Sequence, residues 1–262
     1  MSTREWALIL GVSSGFGAAS AIALAKAGYD ILGVHLDTRS NQARVDSLLD
    51  DLQETGQQIR FFNQNAASDE SRRGMIQAIN TLLSTEGGRI KILLHSLAFG
   101  SLGNYISEDK QQQIKRRQLE MTLDVMGNSL LYWVQDLEHS DLLDRARIFA
   151  MTSAGSHRVW ASYGPVAAAK ATLESHIRQL AVELAPKGHT VNGILAGVTD
   201  TPALSKIPGS ETLKEDAINR NPHQRLTTPK DVARCLVALS SQDTYWMTGN
   251  VIAVDGGEGL AG

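Results

Sequence analysis

Short apolar runs alternate along the chain with longer stretches whose apolar positions recur every three or four residues. The runs at 6–11 (WALILG), 31–36 (ILGVHL), 59–64, 91–96, 147–153, 190–195 and 250–255 are mostly β-branched or aromatic. That is the pattern of strands buried on both faces. Helical periodicity fills the intervals at 16–27, 40–55, 69–85, 108–137, 165–186 and 229–240. Strand–helix alternation of this kind predicts an α/β fold, a doubly wound parallel sheet of about seven strands with helices on both faces. No repeat or Pro/Gly-rich linker divides the chain, so one domain over 1–262 is expected. The segment 201–229, with Pro202, Pro208, Pro222 and Pro229, breaks the rhythm. An insertion of that length is expected to form a substrate lid.

The first strand-like run leads directly into GVSSGFG and then into an Ala-rich helix. A glycine-rich turn in that place lets the backbone approach a pyrophosphate, whose charge then sits on the free N–H groups and positive dipole end of the helix. The arrangement is Rossmann-type, and Gly11, Ser13, Ser14, Gly15, Phe16 and Gly17 become candidate dinucleotide contacts. The spacing is GxxxGxG rather than the commoner GxGxxG, and a tight turn without ligand is the plain alternative. Asp37 stands at the end of the second run, where a carboxylate accepts hydrogen bonds from ribose hydroxyls and repels a 2′-phosphate. Arg39 acts in the opposite direction, since it can swing onto a phosphate. The uncharged Ser14, where a basic residue would favour NADP(H), tips the choice towards NAD(H).

Composition removes several partner classes. With 42% hydrophobic and 20% charged residues, a chain of this length buries about 70–75% of its unfolded surface without staples. A net charge of −3 gives no electrostatic reason to expect nucleic acid, and Lys115, Arg116 and Arg117 read as a solvated helix face. No apolar run reaches the roughly 18 residues of a membrane span, so the cytoplasm is the expected compartment. The single cysteine, Cys235, lies in an apolar stretch and reads as a small buried hydrophobe. The histidines show no paired spacing on one helix beside an acid, so no catalytic metal is expected.

YGPVAAAK, from Tyr163 to Lys170, sets a phenol and an ammonium seven positions apart. Alone, it does not separate an active site from the start of an ordinary helix. Together with GVSSGFG, FNQNA, AGVTDTPAL and VDGG, however, it resembles the short-chain dehydrogenase/reductase superfamily over essentially the whole chain. Most members of that superfamily carry Tyr, three residues, Lys; here Val166 occupies that tyrosine position and Tyr163 stands three residues earlier. The longer spacing is similar to the enoyl-acyl-carrier-protein reductases of bacterial fatty-acid synthesis, as are LLHSLAFG and AGVTDT. A helix permits it: seven residues advance the angle by about 700°, leaving the two positions within roughly 20° of each other. Pro165 suits the first helical turn and leaves Tyr163 at the helix start.

The resemblance implies a role for each matching residue. Lys170 would hold the nicotinamide ribose and favour an ionised or strongly donating Tyr163, which would meet the substrate oxygen, with Ser153 as a second donor. Asn65 and Ala66 would flank the adenine, Ser96, Leu97 and Ala98 would line the ribose side, and Gly197, Val198 and Thr201 would orient the carboxamide. Asp124 stands where many members use an asparagine to hold water. His95 is expected to make a structural hydrogen bond. Phe99, Trp160, Ala203, Leu204 and Ile207 are candidates for an acyl slot, and Lys206, Lys214 and Arg225 for docking an acidic carrier protein. The implied activity is NAD(P)H-dependent reduction of a 2-enoyl thioester carried by an acyl carrier protein, in a homotetramer. A ketoreductase, alcohol dehydrogenase or dienoyl thioester reductase, and a non-catalytic dinucleotide-binding regulator, remain alternatives.

Overall fold

The computed structural model describes residues 4–261. Its strands are β1 (Glu5–Leu10), β2 (Asp30–His35), β3 (Ile59–Asn63), β4 (Arg89–His95), β5 (Leu143–Thr152), β6 (Thr190–Ala196) and β7 (Val251–Val254). All seven pair in parallel in the order β3-β2-β1-β4-β5-β6-β7. Every expected strand is present, β5 beginning earlier than its apolar run implied. The helices are α1 (Gly15–Lys26), α2 (Gln42–Gln53), α3 (Asp69–Glu86), α4 (Arg116–Leu123), α5 (Ser129–His139), α6 (Gly164–Leu184), α7 (Ser210–Arg220) and α8 (Pro229–Leu239).

Both faces of the sheet are apolar because successive strand residues point to opposite sides. Along β1, Trp6, Leu8 and Leu10 enter one core with Ile79 of α3, Trp133 of α5 and Leu173 and Ile177 of α6. Ala7 and Ile9 enter the other, with Leu24 of α1, Leu52 of α2 and Leu236 of α8. Among the described residues no helix is long and apolar enough to cross a membrane.

One expectation needs correction. The stretch 108–137 is not one helix: α4 starts only at Arg116, and a π turn at Asp124–Asn128 separates it from α5. The Ser129 hydroxyl donates to the Val125 carbonyl across that turn (2.8 Å), competing for a backbone acceptor. The segment 201–229 contains α7, flanked by Pro208 and Pro222.

The chain runs outward from β1 to β3 in one direction and from β4 to β7 in the other. Such a reversal opens a crevice at the C-terminal ends of β1 and β4, the general ligand position in open α/β sheets.

Candidate active site

The glycine-rich turn stands at that crevice. Gly11 leaves β1 with φ +89°, and a Cβ there would lie 2.5 Å from the Ser96 carbonyl oxygen at the end of β4. A Cβ on Gly17 would approach the Gly11 carbonyl oxygen to 2.0 Å, so α1 packs this closely on the turn only because residue 17 is glycine. Ser14 caps α1 without a side-chain hydrogen bond, and the first turn holds no acidic residue, which leaves the positive helix end available to a phosphate. Phe16 packs against the core, so only its backbone is left to serve a ligand. Leu97 lies over Gly11, and Gly15 faces Thr201 across the crevice mouth.

Asp37, just past β2, is held from several sides. Its carboxylate meets Nδ1 of His35 (3.0 Å) and accepts from Nη2 of Arg44 (2.8 Å). Its backbone exchanges two hydrogen bonds with the Asn63 side chain. Burial works to raise its pKa, but hydrogen bonds from Ser13 and His35 and the charge on Arg44 outweigh this and hold it below the usual range. The cation at Asp37 is therefore Arg44 on α2 rather than Arg39. Arg44 has no motif signal; its position in the first turn of α2, the helix that follows Asp37, is its only mark. Asn65 spends its side-chain oxygen on the Ala67 amide (3.0 Å), and the Ala66 carbonyl accepts from Trp133 (2.8 Å).

On the other side of the crevice, three consecutive residues from the end of β5 meet α6. Met151 O accepts from Lys170 Nζ at 2.7 Å, Thr152 Oγ1 donates to Glu174 at 2.6 Å, and Ser153 Oγ lies 3.2 Å from the Tyr163 hydroxyl. Tyr163 occupies the N-cap position of α6, with Pro165 in the first turn as expected. The preceding Ser162 sits at φ +61°, a strained conformation for a residue with a side chain. It is clamped there: its carbonyl accepts from the Gly103 amide (2.8 Å) and its hydroxyl donates to Asn104 (3.0 Å). Trp160 stacks edge-on against Tyr163 with ring centroids 5.7 Å apart, and the Tyr105 ring covers Gly164.

Burial raises the Tyr163 pKa, against a smaller opposing effect of Ser153. Burial thus favours the neutral, donating phenol, the second of the two forms that pairing with Lys170 implied. Lys170 is pushed down to about 8 by desolvation, against the opposing charge of Glu174. His95 is fully buried and pushed down to about 3 by desolvation and by Lys170. Its Nε2 lies 2.7 Å from the Ser129 hydroxyl, whose proton is already given to Val125. His95 therefore donates from Nε2, a structural hydrogen bond as expected. Asp124 has an exposed side chain that accepts from Asn128 (2.9 Å).

The loop after β6 is closed by the C-terminal segment. The Val198 amide donates to Oε2 of Glu258 (2.9 Å), Thr199 Oγ1 to the Gly197 carbonyl (2.9 Å), and Arg158 Nη2 to the Gly259 carbonyl (3.1 Å). The Val198 N–H is thus already engaged within the chain. Burial raises the Glu258 pKa, opposed by that amide and by Arg220. Thr201 Oγ1 accepts from the amide of the buried Leu204 (3.2 Å). Phe99, Tyr105, Ile106 and Val159 are exposed. Two of the three cations nominated for carrier docking are committed internally, Lys214 to Asp200 and Glu211, and Arg225 to Asp231. Among the described residues no group of three His, Cys, Asp or Glu side chains gathers as metal ligands.

The residues present fit a dinucleotide: a close-packed glycine turn, an anionic anchor past β2, and a buried ammonium at the crevice. Known proteins share the fold and part of the sequence. An enoyl-[acyl-carrier-protein] reductase [NADH] FabI from Aquifex aeolicus (strain VF5) is 28% identical over 71% of this chain and 68% of its own length. A cyclohexanol dehydrogenase from Rhodococcus sp. (strain TK6) is 28% identical over 96% of this chain and 94% of its own. A crystal structure of the NADH-dependent enoyl-[acyl-carrier-protein] reductase from Aquifex aeolicus VF5 superposes with a TM-score of 0.83 at 25% identity, covering 99% and 97% of the two chains. The model of the family described as enoyl-(acyl carrier protein) reductase matches residues 11–258. The chain accordingly belongs to that family of the short-chain dehydrogenases/reductases and is an oxidoreductase of the nicotinamide-dinucleotide-dependent type.

Proposed function

We propose that this protein reduces the double bond of a 2-enoyl thioester with NADH. The observation that carries the reading is which phenol the fold presents. Tyr163, at the longer spacing, lies on Ser153 beside buried Lys170, whereas Val166, at the shorter spacing, is sealed in a cluster with Met126 and Ala169. The reduced nicotinamide would supply a hydride to the β carbon. Negative charge then gathers on the thioester oxygen, where the neutral Tyr163 phenol donates a hydrogen bond and Ser153 can add a second. Lys170 would bind the ribose hydroxyls. Trp160 packs edge-on against the phenol and Tyr105 covers the adjoining Gly164, and the exposed apolar side chains of Phe99, Ile106 and Val159 suit an acyl chain.

Asp37 supports NADH, because a 2′-phosphate would meet its carboxylate. Arg44 tempers that repulsion, and Arg44→Ala should widen the preference for NADH over NADPH. The carrier is taken to be an acyl carrier protein, as in the name of the Aquifex relative. With Lys214 and Arg225 engaged, Lys206 is the cation left for docking it. The cytoplasm is the expected compartment; a homo-oligomer, expected as a tetramer, is supported by the exposed Val182 and Trp246, and sedimentation at equilibrium tests it.

A second reading keeps one specific observation. A Ser–Tyr hydroxyl pair also serves carbonyl reduction, and the Rhodococcus relative is named for alcohol oxidation. Crotonyl and acetoacetyl thioesters offered with NADH or NADPH, with loss of reduced-cofactor absorbance as the readout, separate the two. Oxidation with the crotonyl compound alone supports enoyl reduction; oxidation with the acetoacetyl compound supports the alternative. Silence with both, despite measurable dinucleotide binding, supports the non-catalytic reading.

A further inference from the structure

We propose that Glu174 is a positioning residue of this site: a buried carboxylate one helical turn beyond Lys170 that ties α6 to the end of β5, balances the Lys170 ammonium and fixes Ser153 beside Tyr163. It lies outside every motif described above, yet it is only 3% exposed, and an ionised carboxylate is costly to bury without partners. Its partners are specific. Oε1 accepts from Thr152 Oγ1 (2.6 Å) and lies 2.7 Å from the Ser156 hydroxyl, which is also 2.8 Å from the Ser153 carbonyl and shares one proton between them. Oε2 lies 3.1 Å from Nε2 of His157. Glu174 thus grips both sides of Ser153: the strand residue before it and the turn residues after it.

The helix places Glu174 on the same face as Lys170, since residues four apart are neighbours. Lys170 in turn donates to Met151, so the helix start and the end of β5 are joined at three successive residues, Met151, Thr152 and, just past the strand, Ser153. Charge follows geometry. The other ionisable groups packed around the pair are His95 from β4, which is neutral, Tyr163 at the head of α6, and His157 from the turn after β5. Glu174 is the group that supports the proton on Lys170 against desolvation. Without it, the buried ammonium keeps its bond to the Met151 carbonyl but loses a nearby countercharge, and its proton is released at lower pH.

The test is a fluorescence titration of NADH binding across pH for the parent, Glu174→Gln, Glu174→Ala and Thr152→Val, with thermal melts to confirm folding. Glutamine keeps an oxygen for the two hydroxyls and removes only the charge. The alkaline pH at which NADH binding weakens should fall by about one unit or more in Glu174→Gln and Glu174→Ala, and stay in place in Thr152→Val. Below that limb, crotonyl-thioester turnover should stay within about threefold of the parent in Glu174→Gln but drop about a hundredfold in Glu174→Ala, where Ser153 loses its anchor. An unmoved limb in Glu174→Gln, or equal loss of turnover in the Gln and Ala variants, overturns the proposal. Only the turnover arm rests on the enoyl-reductase reading. A parent silent with every thioester would sink that reading while the binding limb still decides the role of Glu174.

Discussion

In the proposed reaction Tyr163 serves as a neutral donor, because its surroundings raise its pKa. It is largely buried, its close partner is a hydroxyl, and the nearby ammonium is directed to the Met151 carbonyl. Removing the phenolic hydroxyl should therefore cost transition-state stabilisation without disturbing the dinucleotide. Tyr163→Phe is expected to lower kcat by about 10²–10³-fold with an unchanged dissociation constant for NADH, measured by stopped-flow turnover and fluorescence titration. Lys170→Ala should weaken both. At the turn, Gly17→Ala places a methyl group 2.0 Å from a backbone oxygen, so α1 must move. Overpacking of this kind costs about 1–3 kcal/mol, and calorimetry should show a lowered Tm together with lost NADH binding. A variant that binds NADH normally would contradict the close packing assigned to the turn.

At the scale of elements, the decisive piece is the start of α6. The strained Ser162, held by Gly103 and Asn104, throws Tyr163 towards β5 while the helix proper seals Val166 inward. Moving the phenol to the commoner spacing should consequently fail. The double variant Tyr163→Phe, Val166→Tyr is expected to be destabilised by about 1–3 kcal/mol and to recover none of the lost turnover; recovery would mean that the spacing carries no information.

Much of this was legible in the chain. Strand runs buried on both faces are short and apolar, and all seven were marked. Pro165 marked the helix start, and the glycine turn marked the crevice. What stayed hidden depends on contacts distant in sequence. The π turn at Asp124–Asn128, spanned by the Ser129 hydroxyl bond to the Val125 carbonyl, leaves no mark in the periodicity. The short apolar content of α7 concealed a helix among prolines. Arg44, Glu174 and Glu258 are charged residues in ordinary helical or terminal stretches, and only tertiary packing shows that they close on Asp37, β5 and Val198. The lysine of the motif was found, but not the desolvation that lowers its pKa.

For the molecule as a whole, burying Lys170 links folding to pH. Its proton leaves at about 8 in the folded protein, against an ordinary value of 10.5. Between those values the unfolded chain binds more protons, so stability rises with pH, and the cost of the buried ammonium is present below about pH 8 and relieved on approach to 10.5. Lys170→Met should be more stable than the parent in denaturant melts below this window, with the gap narrowing as pH climbs through it. A gap independent of pH would contradict the burial of a charged Lys170.

In the proposed reaction, the sheet reversal, the glycine turn and the end of β5 together bring one phenol hydroxyl to a forming negative charge. The most direct test is a crystal structure of the protein with NADH or its oxidised form and an unreactive enoyl-thioester analogue. The account predicts the Tyr163 hydroxyl within hydrogen-bond distance of the thioester oxygen, with the β carbon facing the nicotinamide. A ring turned away from that oxygen, with another donor in its place, would contradict it.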